Sequence, residues 1–312
     1  MGRFSIFFPT LRSLSLRRIQ QSTVVPLPAT TQFSRDLTAE LTTLQSEVTS
    51  GEHFMPRLFE AAITTQKIAL NTLAHVSYLA DVDHGAMEEY LETNTDILDA
   101  CNYFVERMEG VKKKYVDRLR KVARFVESNA TSRALDQLVQ LESCQATEKT
   151  RLKMGKRGSC LRRTKLGHET EFSEIVCGSK GMALMSCGFL EHALSSDCGK
   201  SELPMMKCLP MSCSWLRIMQ ELAEGSAGKK KRGCGSLVMM VELQQTVAAA
   251  RELKELIKGK RGKEMVESCV ERVKRSCKEL EDEIDFIQRK VKDLYKSLID
   301  VRMALLGILS QA

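Results

Sequence analysis

Along the last part of the chain, apolar residues recur in unbroken steps of four and three: Val266, Val270, Val273, Cys277, Leu280, Ile284, Ile287, Val291, Leu294, Leu298, Val301, Leu305 and Ile308. A mean spacing of 3.5 residues lines them up along a helix as one long seam. No Gly or Pro interrupts it before Gly307. At about 1.5 Å per residue the pattern predicts a rod roughly 65 Å long.

Weaker versions of the pattern run upstream. Leu37, Leu41, Leu44 and Val48 predict a short helix from Asp36 that closes at Ser50-Gly51. A second helix opens near Pro56, whose fixed φ suits a first turn, with Leu58, Ala62, Ala69, Leu73 and Val76 on its apolar side. After a break over 81–85, a second seam holds Met87, Leu91, Asn94, Leu98, Cys101, Val105 and Met108. A lone Asn in such a seam fixes register at some cost in stability. Gly110 predicts a kink or an end, and the period resumes at Val111, Tyr115, Leu119, Val122 and Val126. Ser132 reads as the cap of a helix reaching Leu141.

Residues 169–194 predict another helix, with Phe172, Ile175, Val176, Met182, Met185, Phe189 and Leu190 apolar. A loop with Pro204 and Pro210 follows over 195–210, then a short helix over 215–222. Ser236 reads as the cap of a helix carrying Met240, Leu243, Val247, Ala250, Leu253 and Ile257. Residues 258–263, with Gly259 and Gly262, turn the chain into the seam helix as a hairpin. No repeat of fixed period is present.

The positions beside the long seam decide between a free coiled coil and a bundle. In a two-stranded coil they are mostly charged. Glu267, Lys274, Glu281, Glu283 and Lys290 obey this in the first half, but Tyr295, Ser297, Ala304 and Leu309 do not. Ile299, Met303 and Leu306 widen the apolar stripe further. A widening stripe is what a helix packed on several sides shows. The fold expected is therefore all-α: an elongated antiparallel helical bundle around a long C-terminal heptad-patterned helix.

Composition agrees. Charged residues make up 28 % and aromatics 5 %, with six prolines in 312 residues, as long helices require. The most apolar uncharged run, 181–190, is ten residues, short of the roughly 18–20 that span a bilayer. Lys and Arg exceed Asp and Glu by seven, and the excess is local. Residues 1–35 hold Arg3, Arg12, Arg17, Arg18 and Arg35, many Ser and Thr, and no acid. That segment reads as a basic disordered arm or a chloroplast transit-like sequence, and not as a secretory signal. An intracellular location is expected, in the cytoplasm, at a membrane periphery or in the chloroplast. Two Gly-containing basic tracts separate the remaining segments: 36–150 with the N-terminal helices, 169–224 with the middle helices and a Cys-rich loop, and 236–312 with the C-terminal hairpin. The first tract, 151–168, holds Arg151, Lys153, Lys156, Arg157, Arg162, Arg163 and Lys165 and no acid. The second, 225–235, holds Lys229, Lys230, Lys231 and Arg232. Three readings apply to them: solvated spacers, contacts to anionic lipid at about 1 kcal/mol per cation, or, for 229–232, a nuclear import signal. No aromatic residues interleave with the charge, so no nucleic-acid partner is expected.

Candidate chemistry is sparse. Most of the eleven cysteines lie between Cys160 and Cys234, with His168 and His192 nearby, but the two-residue spacer of zinc ligands is absent. An odd count without a secretory signal reads as reduced thiols. Gly199-Lys200-Ser201 resembles the end of a phosphate loop, yet Leu194 stands where the leading Gly belongs. Gly178-Ser179-Lys180-Gly181 lacks the spacing of a nucleophile elbow. The expectation is a protein that is not an enzyme, with no cofactor, no metal and no small-molecule substrate. The rival reading is a metal-binding protein or enzyme using the Cys-rich middle.

One short segment carries a likeness. Tyr90-Leu91, Asn94, then Leu98-Asp99, Cys101 and Asn102 resemble a helical segment of the plant BYPASS family and the related exocyst-interacting ROH proteins. There a tyrosine-leucine pair is followed by a leucine-aspartate-x-cysteine-asparagine run. The basic N terminus, the Gly-containing apolar segment 181–194 and the long C-terminal helix are similar too. The apolar middle segment here is less hydrophobic than in relatives expected to touch membranes, and the Cys-rich 195–235 is a departure. The resemblance implies a non-enzymatic regulator of root and shoot development that restrains a mobile root-derived signal. It also implies a protein partner such as an exocyst subunit, and a packing and register role for Tyr90, Leu98, Asp99, Cys101 and Asn102.

Overall fold

The computed structural model describes residues 31–48, 54–76, 84–145, 171–194, 213–228 and 241–310. Among these the secondary structure is helical, with no strand. The helices are α1 (Gln32–Val48), α2 (Phe54–Val76), α3 (His84–Val111), α4 (Arg118–Glu127), α5 (Thr131–Gln145), α6 (Glu171–Ala193), α7 (Ser214–Gly228), α8 (Val241–Lys258) and α9 (Lys263–Leu309).

The long seam is the spine. From Val270 to Leu305 every predicted seam position on α9 is buried, while Val266 and Ile308 at its ends are half-buried. No single neighbour covers it. Its C-terminal half packs on α2 and α3, and its N-terminal half on α4 and α8. The charged flanks that a coiled-coil dimer would spend on a partner are used within the chain. Lys290 pairs with Glu60 on α2 at 2.7 Å, Arg120 on α4 with Glu281, and Lys274 with Glu127 on α4 at 2.5 Å.

α3 and α4 form one continuous helix joined by a π-helical turn, Lys112–Asp117. The sequence shows the cause: Val111, Tyr115 and Leu119 step four and four, outrunning the α-helical period. The π turn absorbs the extra residue and buries both Tyr115 and Val116. Gly110 itself is α-helical, two residues before the π turn. This composite helix runs antiparallel to α9: Arg302 reaches Leu91, Gln288 reaches Val105 and Lys112 reaches Asp285.

Around the C-terminal half of α9, four helices close a ring in the order α2, α9, α3, α6. Phe54 stacks edge-on against Phe189 and Gln66 bonds Ser179, so α2 and α6 are antiparallel. Tyr90 lies level with Ser179, and Arg107 with Leu194, so α3 and α6 run parallel. It follows that α2 and α9 are also parallel. α6 has almost no polar side and is buried nearly all round, between α2, α3, α1 and α7. Gly178 makes the approach of α1 possible. A Cβ there would stand 2.7 Å from the Phe33 ring and 2.8 Å from Leu37. Glu174 in the first turn of α6 ties the outer pair down, accepting from Thr31 at 2.6 Å and from the Trp215 indole at 3.1 Å.

Several boundaries and faces differ from the expectation. On α3 the buried line is Met87, Tyr90, Asn94, Ile97, Cys101, Phe104 and Met108, so Leu91, Leu98 and Val105 flank it half-buried. The helix is pressed by both α6 and α9, which favours the line between two overlapping apolar stripes. Ser132 lies inside α5 and caps nothing. The chain reverses instead through a Schellman turn, with Asn129 at φ 57°, Ala130 N bonding Phe125 O and Asn129 N bonding Val126 O. The α8–α9 hairpin uses the same turn, with Lys260, not a glycine, at positive φ of 48°. Met303 and Leu306 are exposed, so the stripe that widens in sequence is not covered to its full width among the described residues. α1 begins at Gln32, inside the segment read as a basic arm, and Gly225–Gly228 belong to α7 rather than to a linker. The cap at Ser236, residues 81–83 of the break read over 81–85 and the loop over 195–210 fall outside the described residues; His84 and Gly85 of that break already belong to α3.

Two predictions follow from this packing. Leu294→Lys sets an unpaired ammonium among fully buried neighbours and costs more than about 3 kcal/mol in urea unfolding; an unchanged midpoint would place the seam in solvent. Gly178→Ala collides with Phe33 and Leu37 and costs about 1–3 kcal/mol. The control Gly110→Ala meets nothing within 4 Å and gains about 0.5–1 kcal/mol.

Candidate functional site

The ring of four helices is not wholly apolar. One layer carries polar side chains or backbone groups from all four members. Ser179 on α6 donates its hydroxyl to Gln66 Oε1 on α2 at 2.5 Å, and Gln66 Nε2 donates back to the Ser179 carbonyl at 3.0 Å. Because the Ser179 proton is spent on Gln66, Tyr90 on α3 is the donor in its 3.1 Å contact with the same Oγ. Asn94, one turn further along α3, donates Nδ2 to the Leu298 carbonyl on α9 at 3.3 Å and to the Tyr90 oxygen at 3.4 Å. That bond to a carbonyl fixes the orientation of the amide. Its Oδ1 is buried and has no hydrogen-bond partner among the described residues.

Charge lies beside this layer. Lys180 follows Ser179 on α6 with its side chain 3 % exposed, and its ammonium pairs with Glu89 of α3 at 2.7 Å. Arg302 of α9 donates to the Leu91 carbonyl at 2.6 Å and to Thr95 at 3.1 Å. Burial dominates at Tyr90 and pushes its hydroxyl up to about 12, so it is neutral and a donor at physiological pH. Further along the α3–α6 interface, the neighbouring Cys101 and burial drive the Cys187 thiol well above the ordinary thiol range. Burial likewise raises Cys277 in the α9 seam to about 11. These groups are held in their neutral forms, the opposite of what a nucleophilic thiolate needs.

The residues of the resembled segment separate cleanly. Tyr90, Asn94 and Cys101 are buried and enter this interface, and Leu91 and Leu98 are half-buried beside it. Asp99 and Asn102 are exposed, so the packing role the likeness implied for them does not hold. The basic residues named as anionic-surface contacts (Arg151 to Lys165, and Lys229 to Arg232) lie outside the described residues. So do Cys160, Cys198, Cys208 and Cys234. Cys101, Cys177, Cys187, Cys213, Cys269 and Cys277 are free thiols. Among the described residues no group of three or more His, Cys, Asp or Glu is placed to hold a metal ion, and no helix is long and apolar enough to cross a membrane.

Sequence reading missed Gln66, and weighed Ser179-Lys180 only as a nucleophile elbow, not as a polar tie between helices. A signal was present: Ser179-Lys180 interrupts an otherwise apolar run, and Gln66 falls between Ala62 and Ala69 on the inner side of α2. Compared with known protein families, curated proteins and solved structures, the chain matches none of them.

Two measurements probe the layer. Glu89→Gln strands the Lys180 ammonium and lowers unfolding free energy by roughly 3 kcal/mol or more, and adding Lys180→Met restores most of it. The Tyr90 hydroxyl, raised on folding from 10.0 to about 12, contributes stability that is complete below pH 10 and lost as pH rises through 12. Two units correspond to about 2–3 kcal/mol. Tyr90→Phe therefore flattens the fall in denaturation midpoint between pH 10 and pH 12 relative to the parent, while at pH 7 it costs about 1 kcal/mol for the lost hydrogen bond.

Proposed function

We propose that this chain is a non-enzymatic regulatory scaffold of the BYPASS-like kind, acting in plant root and shoot development through protein–protein contacts. On this reading it restrains a mobile root-derived signal, and an exocyst subunit is a candidate partner. One observation carries the proposal. The polar atoms of the resembled segment that point inward are used to fasten helices, Tyr90 to Ser179 and Asn94 to Leu298, rather than to present a reactive group. A segment spent in this way sets the register of a rigid body, and function then resides in the surfaces that the body displays. The basic tracts at 151–165 and 229–232 supply a second contact mode, to anionic membrane, and the transit-like N terminus a chloroplast alternative to the cytoplasm.

The test is affinity purification from plant tissue with the N terminus left free, together with metal analysis of protein purified without chelator. The expected result is a reproducible protein partner and no stoichiometric metal. Stoichiometric zinc would replace the scaffold by the Cys-rich metal-binding reading. Retention on anionic vesicles at low salt, with no protein partner, would replace it by a peripheral membrane one.

A further inference from the structure

From residue 88 to residue 124, every exposed residue of the composite α3–α4 helix falls on one line, stepping by three or four along the face turned away from the core. The line carries both signs of charge, and they are sorted. Before Gly110 its charged members are Glu88, Glu92, Asp99 and Glu106, all acidic. After Gly110 they are Lys113, Lys121 and Arg124, with Asp117 as the exception. The ion pairs that tie this helix to the rest of the chain leave from its flanks: Glu89 to Lys180, Lys112 to Asp285 and Arg120 to Glu281. The charges of the outer line stand apart from those pairs. Gly110 sits at the change of sign. It is exposed, and a Cβ there would meet nothing within 4 Å.

We propose that this face is an interface between two copies of the chain, with the composite helices antiparallel across a two-fold axis at Gly110. The sorting of charge selects the occupant. A surface of one sign, such as an anionic bilayer or a nucleic acid, attracts one half of the line and is repelled by the other. A parallel second copy sets like charge on like. An antiparallel copy sets the acidic half of each helix on the basic half of the other, and the two-fold axis satisfies both halves with one self-complementary patch. The register follows from distance along the chain to Gly110. Asp99 and Lys121 each lie eleven residues from it, so Asp99 of one copy faces Lys121 of the other, and the axis repeats the pair. Glu106 lies four residues away and Lys113 three, so they meet nearer the axis. Arg124, at fourteen, falls between Asp99 and Glu92 of the other copy. The missing side chain at Gly110 lets the two backbones approach closely where they cross. Leu91, Leu98 and Val105, half-buried beside the acidic half, add apolar area to the contact. Because the charges are exposed, association is strongest at low ionic strength and weakens as salt shortens the screening length, about 10 Å at 0.1 M. The proposal is independent of the scaffold reading above and of the partner that reading names.

The experiment uses the full-length protein in sedimentation velocity at low and at high salt, with carbodiimide cross-linking and peptide mapping at low salt. The expected result is a concentration-dependent dimer at low salt that dissociates at high salt. Its cross-linked peptides join Asp99 to Lys121, a pair roughly 33 Å apart within one helix and so linked only between copies. Two charge-reversed variants extend the test. One combines Lys113→Glu, Lys121→Glu and Arg124→Glu; the other combines Glu92→Lys, Asp99→Lys and Glu106→Lys. Each alone is monomeric at low salt, and an equimolar mixture of the two recovers the dimer. All six positions are exposed, and the wild-type cross-link decides the matter if either variant folds poorly. A monomer at every salt and protein concentration would overturn the proposal. So would a dimer cross-linked elsewhere, or one that persists in both variants alone. Retention of a monomer on anionic vesicles, abolished in the Lys113, Lys121 and Arg124 variant, would overturn it in favour of a lipid surface.

Discussion

A 47-residue helix with an apolar stripe along nearly its whole length sets the terms for this molecule. No other helix described approaches that length unaided, so α9 can be covered only by a relay of shorter elements. The chain meets the demand twice. α2 and α3 cover the C-terminal half, α4 and α8 the N-terminal half, and the π turn at Lys112–Asp117 lets α3 and α4 follow α9 as one rod. At about 0.8 kcal/mol per buried CH₂ group, the stripe contributes substantially to stability. The ion pairs along its flanks are half-exposed and contribute little each. Their effect is on selection: a charge at Lys274, Glu281 or Lys290 that has found its intramolecular partner does not recruit a second copy.

Within that frame the polar layer trades stability for a single arrangement. Apolar helices slide past one another with small changes in energy, because Leu and Val pack almost equally well one heptad away. Asn94 and Ser179 do not have that freedom. Moving α9 along α3 by one turn would separate Asn94 Nδ2 from the Leu298 carbonyl and leave a buried donor unpaired, at about 1–3 kcal/mol. The unpartnered Oδ1 of the same side chain shows that the arrangement is not optimised for stability alone. A buried Asn in a helical seam acts in this way elsewhere, specifying register at a cost.

How much of this could be read in advance depended on range. The α9 seam was fully legible because its period runs for thirteen positions without a break. The intramolecular bundle was legible from the loss of flanking charge after Lys290. The α3 seam was legible in part: Met87, Asn94, Cys101 and Met108 are buried as read, but Leu91, Leu98 and Val105 are as apolar as Tyr90, Ile97 and Phe104, which take their places on the buried line. Only the positions of α6 and α9 show that the line between the two stripes points inward. The α8–α9 turn was read where it falls, over 258–263, but its left-handed residue is Lys260 and not a glycine; between α4 and α5 Asn129 takes that conformation, while Ser132, read as the cap, lies inside α5. The polar layer was invisible because its bonds span 89, 113 and 204 residues. No spacing rule connects positions that distant.

The same geometry constrains the inward side of α3. Tyr90, Asn94 and Cys101 sit at intervals of four and seven, one side of α3, and each meets a different requirement of the core. Tyr90 bonds Ser179, Asn94 bonds the α9 backbone, and Cys101 is packed in the core. An apolar substitute at Asn94 removes the side-chain tie to the α9 backbone, and one at Tyr90 removes the tie to Ser179.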